Sequence, residues 1–121
     1  WFQKALAGDE DYQDYYILRE APAGQDFPTN WESKFGGPAW EPFGQTGKFY
    51  LSLFDPTQAD LNWRNPKVRE EAAKVVNFWM DKGVKGFRLD VINLIGKDEE
   101  YVNSTGDLAQ EKSLYTDRPQ D

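Results

Sequence analysis

Cysteine is absent from this 121-residue chain, and so is histidine. The first absence removes any disulfide framework and any thiol chemistry. The second removes imidazole catalysis and the commonest side-chain metal ligand. No run of about 18 apolar residues is available to span a bilayer as a helix. Positive charge is scarce: 14 Lys and Arg stand against 21 Asp and Glu, for a net charge of −7. That balance argues against nucleic acid and against anionic membranes as partners. The chain starts at Trp1, with no initiator Met and no signal-like segment. It therefore reads as part of something longer, and a cytoplasmic location is expected.

What is there is aromatic. The chain carries 5 Trp, 6 Tyr and 8 Phe, many for so acidic a protein. Rings that stack, beside carboxylates that accept hydrogen bonds, suit sugar binding; a β-rich core under an acidic surface would have the same composition.

The first part of the chain reads as a small, mainly β unit, residues 1–60. Residues 1–8 suggest a short helix closed by Gly8. Asp9-Glu10-Asp11 reads as a solvated turn rather than a metal site. A strand is expected at Tyr15-Tyr16-Ile17-Leu18, then loop across 20–34, punctuated by Pro22, Gly24, Pro28 and Asn30. A hairpin follows: Trp40 to Phe43, a turn at 44–47, and Lys48 to Phe54.

Residues 61–121 read differently. Asn65 as N-cap and Pro66 at the first helical position open a helix ending at Lys82-Gly83. Its Val68, Ala72, Val75, Val76, Trp79 and Met80 recur every three or four positions and read as core. The helix leads into Lys85-Gly86-Phe87-Arg88-Leu89-Asp90-Val91-Ile92-Asn93, read as a strand over 84–92. Arg88 and Asp90 share one face of such a strand, Phe87, Leu89 and Val91 the other. A helix running into a strand is half of a βαβ unit, whose strands are normally covered on both faces. Its neighbours are not evident in these residues. Beyond Gly96 the chain turns polar and acidic, and reads as a long, partly disordered loop. Asn103-Ser104-Thr105 fits a glycosylation sequon that would need a secretory context.

An Arg and an Asp two residues apart inside a sheet are costly unless paired or used. The neighbouring cation favours an ionised Asp90, which suits a nucleophile better than a general acid. Retaining glycosidases need a second carboxyl group about 5–5.5 Å away. None is convincing here: Asp98, Glu99 and Glu100 read as solvated loop, and nothing marks Asp60 as an acid.

These residues carry a resemblance. Gly86-Phe87-Arg88-Leu89-Asp90-Val91-Ile92-Asn93 resembles the fourth-strand motif of the α-amylase-type glycoside hydrolases, family 13. Further stretches resemble the oligo-1,6-glucosidase subgroup, which includes dextran glucosidases and trehalose-6-phosphate hydrolases. They are Tyr15 to Arg19, Asn30 to Gly37, Tyr50 to Asp55, and Gln58 to Trp63. The resemblance implies an α/β fold, a segment of a (β/α)8 TIM barrel comprising its third helix and fourth strand. Residues 1–60 would be most of the inserted, mainly-β domain B. It implies a retaining α-glucosidase with Asp90 as nucleophile and Arg88 holding it. Phe35, Phe54 and Gln58 would line the glucose pocket, with no metal and no cofactor. The family's acid/base Glu, its two substrate-binding His and its transition-state-stabilising Asp have no counterpart in these residues, so the segment alone is expected to be inactive.

Val91 is typical of members acting on α-1,6 bonds or related small sugars. Gln58 to Trp63 with Ala59, Asn93 to Asp98, and Tyr115 to Asp117 resemble the trehalose-6-phosphate hydrolase branch. Oligo-1,6-glucosidase or dextran glucosidase is the alternative, and a non-catalytic carbohydrate-binding segment another. The implied substrate is a small oligosaccharide or a disaccharide phosphate. Lys97, Lys112 and Arg118 are candidates for the phosphate, each also readable as a plain solvated charge. The unpartnered apolar faces of the helix and strand predict self-association.

Overall fold

The structure, a computed structural model, describes residues 1–97 and 100–104. Its centre is a three-stranded antiparallel sheet in the order β1-β3-β2, built from β1 (Leu18–Glu20), β2 (Trp40–Pro42) and β3 (Lys48–Leu51). Leu18 lies opposite Tyr50, and Trp40 opposite Leu51. Pro42, which has no N–H to give a ladder, sits in the outer strand β2, where that lack is tolerated. The hairpin between β2 and β3 turns where the sequence places Gly44 and Gly47, both at positive φ (57° and 79°).

Two short helices precede the sheet. The first, α1 (Phe2–Leu6), is followed by Gly8 at φ 103°, as its sequence suggests. The second, α2 (Glu10–Gln13), corrects the turn expected at Asp9-Glu10-Asp11. Asp9 is an N-cap whose carboxylate accepts from the Asp11 amide at 3.1 Å, and Glu10 and Asp11 complement the positive helix end. The strand expected at 15–18 forms only from Leu18 onward. Tyr15, Tyr16 and Ile17 are buried instead, with Tyr16 bridging to Leu61.

Two apolar clusters flank the sheet. One gathers Ile17, Trp31, Ala39, Trp40, Leu51, Leu53 and Leu94; the other Ala5, Tyr15, Tyr16, Phe43 and Val68. Aromatics do much of the filling. The ring of Phe2 meets Tyr16, Phe43 and Tyr50 edge-on at 5.0–5.7 Å, a favoured geometry for aromatic pairs. The indole N–H of buried Trp40 donates to Thr29 Oγ1 at 2.7 Å, so burying it leaves no polar atom unmatched.

The long helix, α3 (Pro66–Asp81), forms where Asn65 and Pro66 predict it. The Asn65 side chain accepts from the Lys67 amide at 3.0 Å and donates to the Asp14 carbonyl at 3.1 Å, tying the helix start to the end of α2. Only Val68 of its apolar stripe is buried; Val75, Val76, Trp79 and Met80 are exposed. Their reading as core is therefore corrected, because no described element covers that side.

The segment 84–92 is likewise not a strand. Val84 donates to the Trp79 carbonyl, and no ladder pairs the residues after it. Phe87 and Leu89 are 45% and 64% exposed. A strand exists only through hydrogen bonds to a neighbour, and none among the described residues offers them. The chain then closes a 3₁₀ turn at Ile92–Leu94 and returns to the sheet.

That return corrects the expectation of a loose tail for residues 100–104; the rest of the tail lies outside the described residues. The Tyr101 ring packs against Trp31 and Trp40, with Arg19 stacked over it at 4.8 Å. Burial pushes its phenol up from the ordinary tyrosine value, with Arg19 opposing the shift. Asn30 grips the same stretch. Its backbone N–H donates to Asn103 Oδ1, its side-chain amide donates to the Ser104 carbonyl, and its Oδ1 accepts from the Ser104 amide.

Candidate active site

The five residues singled out from the sequence fall into two groups. Phe35, Phe54 and Gln58 lie on loops that leave the sheet. A turn over 33–37, with Gly36 and Gly37 at φ 96° and 78°, is held by Ser33 N–H donating to the Gly37 carbonyl at 2.9 Å. Ser33 Oγ donates to the Phe54 carbonyl at 2.5 Å and accepts from the Phe35 amide at 3.1 Å. Lys34 N–H donates to the Leu53 carbonyl at 2.7 Å. These bonds set Phe35 edge-on to Phe54, with centroids 5.8 Å apart at 70°. Phe35 is 72% exposed, so its ring stands out as a wall rather than as core.

Gln58 closes the next turn. Its amide donates to the Asp55 carbonyl at 2.8 Å, and its Oε1 accepts from the Asp55 amide at 3.2 Å. The Asp55 carboxylate accepts from both the hydroxyl and the backbone N–H of Thr57, which hold it below the usual carboxylate range. Ser52 Oγ donates to the Asp55 carbonyl from inside the loop at 2.5 Å.

Arg88 and Asp90 form the second group. Arg88 Nη2 lies 3.1 Å from Asp90 Oδ1, as expected for side chains two residues apart. The pair is not buried, however: the two side chains are 85% and 71% exposed. An ion pair so solvated contributes only about 0–1 kcal/mol, so stability does not explain it. Val91 follows in the left-handed region at φ 45°, ψ 36°, an unfavourable conformation for a β-branched residue. Among the described residues, no hydrogen bond, ion pair or ring contact joins Arg88 or Asp90 to Phe35, Phe54 or Gln58. The structure assembles an aromatic wall and a charge pair, each by itself.

Sequence reasoning missed a third feature. Lys97 is buried, its side chain 5% exposed, with Nζ 2.9 Å from Asp60 Oδ2. The same ammonium donates to the Leu94 carbonyl at 2.6 Å, while Arg64 donates to the Lys97 carbonyl at 2.9 Å. Lys97 is thus no solvated charge, and the other phosphate candidates, Lys112 and Arg118, lie outside the described residues. The partners stand far apart in the chain, so no local spacing announces them. The one cue is that Lys97 follows the apolar Leu94-Ile95-Gly96.

Comparison with known proteins gives these groups a context. The alpha amylase catalytic-domain model matches residues 1–121. The chain is 49% identical over 120 residues to trehalose-6-phosphate hydrolase of Bacillus subtilis, covering 98% of this chain and 21% of that protein. It is 52% identical over 101 residues to oligo-1,6-glucosidase of Parageobacillus thermoglucosidasius, covering 83% of this chain and 18% of that protein. The crystal structure of Bacillus licheniformis trehalose-6-phosphate hydrolase superposes with a TM-score of 0.90 at 47% identity, over 98% of this chain and 21% of that one. The chain thus spans about a fifth of the length of these relatives, and its structural neighbours are TIM-barrel enzymes. With the match running from Trp1 to Asp121, the chain belongs to the α-amylase catalytic-domain family.

Proposed function

We propose that this chain is a segment of a retaining α-glucosidase with Asp90 as its nucleophile. In this reading residues 1–60 are most of domain B, and residues 61–121 are a helix–strand segment of the barrel with the loop that follows. The exposed 84–92 stretch would become the fourth barrel strand once neighbouring strands supply its ladder. Arg88 would then hold the carboxylate aimed.

The observation that carries this is the Arg88–Asp90 pair, 3.1 Å apart, on the stretch that resembles the family's catalytic motif. In the reaction, an Asp90 oxygen bonds to the anomeric carbon as the glycosidic bond breaks. The leaving oxygen takes a proton from a carboxylic acid outside this segment. Water, deprotonated by that same group, then releases the sugar and frees Asp90. Phe35, Phe54 and Gln58 line the side of the pocket that domain B covers.

The favoured substrate is trehalose 6-phosphate. The support is that similarity to trehalose-6-phosphate hydrolase extends over 98% of the chain, against 83% for the oligo-1,6-glucosidase. The second reading, an oligo-1,6-glucosidase, draws on the higher identity of that shorter match, 52%. Turnover of trehalose 6-phosphate against isomaltose by the full-length protein separates the two. In that protein Asp90→Asn is expected to lower kcat by about 10³-fold or more with the fold intact. Retained turnover would end the assignment.

A further inference from the structure

From the buried Lys97–Asp60 contact we infer that Lys97 is a positioning residue for Asp90, fixing it relative to the loop that carries Phe54 and Gln58. The inference rests on the functional reading above.

The chain between α3 and Lys97 has two fixed ends. At one, Val84 is tied to the Trp79 carbonyl. At the other, Leu94 is buried in the sheet's core and Lys97 is locked to Asp60. Between them, the only hydrogen bond or ion pair of Arg88 among the described residues is with Asp90. In the full barrel the strand's ladder holds Asp90 along the sheet, and the second end sets it against the loop of Gln58. The second end points at the aromatic wall. Asp60 lies two residues beyond Gln58, and its amide donates to the Leu51 carbonyl at 2.9 Å, so it is fixed to the central strand. Lys97 is seven residues beyond Asp90 on the other side.

The geometry of the lock favours a tie over mere charge balance. The Lys97 ammonium donates to the Leu94 carbonyl as well as to Asp60, and Arg64 grips the Lys97 carbonyl from the Asp60 side of the chain. A simple ion pair could be replaced by two apolar residues with little loss. A tie that aims a nucleophile could not, because an error of about 1 Å at the reacting atom can cost about 10²-fold in rate.

The test is therefore the double variant Asp60→Asn with Lys97→Met in the full-length enzyme, beside Lys97→Met alone. The single variant leaves the partly buried Asp60 carboxylate without its ammonium partner and is expected to melt at lower temperature. The double variant is expected to regain most of that melting temperature, yet keep kcat at least about tenfold down with KM nearly unchanged. Return of kcat together with stability would overturn the inference, showing a structural role only. A rise in KM with kcat intact would overturn it too. Asp90→Asn is assayed alongside. If that variant keeps its turnover, the functional reading fails; if it is dead while the double variant turns over normally, only the positioning role fails.

Discussion

The sheet and the segment 75–92 obey the same physics with opposite outcomes. In the sheet, Trp40, Phe43, Leu51 and Leu53 are at most 1% exposed, and no buried side-chain nitrogen or oxygen among the described residues lacks a partner. In the segment, Val75, Phe78, Trp79, Met80, Phe87 and Leu89 are all between 45% and 64% exposed. The residue types are alike; the difference is whether the partners lie within reach. The sheet closes on loops and helices near it, whereas α3 and 84–92 carry apolar side chains that no described residue covers. Local chemistry can start a helix without a neighbour, since Asn65 and Gly83 cap it, but it cannot start a strand.

Truncation should expose this contrast most clearly. Trp40→Ala is expected to cost about 3–5 kcal/mol in denaturant unfolding of the chain, because it empties a filled site and removes the shorter of the two hydrogen bonds that Thr29 Oγ1 accepts. Trp79→Ala on the open face is expected to stay within about 0.5 kcal/mol. Equal losses would erase the distinction.

The bare face should also be sticky. Sedimentation of the chain is expected to show concentration-dependent association, and Trp79→Glu with Leu89→Glu should shift it toward monomer. A strict monomer at all concentrations would mean that this face is covered from within.

A smaller effect probes how firmly residues 100–104 belong to the packed half. Asn30→Ala removes two bonds to Ser104, of 2.7 and 2.6 Å, and is expected to cost about 1–2 kcal/mol while raising amide exchange at Ser104. Unchanged exchange would detach this stretch from the sheet.

The smallest concerns acid. The Thr57 bonds hold the Asp55 carboxyl below its unfolded value of about 3.9, so they add stability above that pH, lost as pH falls through the folded value. The Thr57 amide resonance should therefore move with a midpoint below about pH 4, and Asp55→Asn should flatten the transition. Loosening at higher pH would point to another group.

Legibility in the sequence followed the range of the interaction. Asn65-Pro66, Lys82-Gly83 and Gly44 to Gly47 act over a few residues, and the helix ends and hairpin they mark are where they were expected. The Arg88–Asp90 contact, two residues apart, was legible for the same reason. What was not legible joins distant parts. Lys97 finds Asp60, Asn30 finds Ser104, and polar composition hid the ring of Tyr101 inside a stretch read as loose. Asp9 was a different failure: an acidic run reads as solvent-facing, although its first residue is an ordinary N-cap. The strand over 84–92 was legible as a pattern of side chains, but a pattern supplies no hydrogen-bond partner.

Tyr101 gives the packed half a dependence on time. It packs against Trp31 and Trp40, yet it is made long after either. At roughly 5–20 residues per second of synthesis, the two indoles wait several seconds for the ring that covers them. During that interval the sheet can pair its strands but cannot finish its core. The nascent chain thus carries an open aromatic surface that the arrival of a single tyrosine covers.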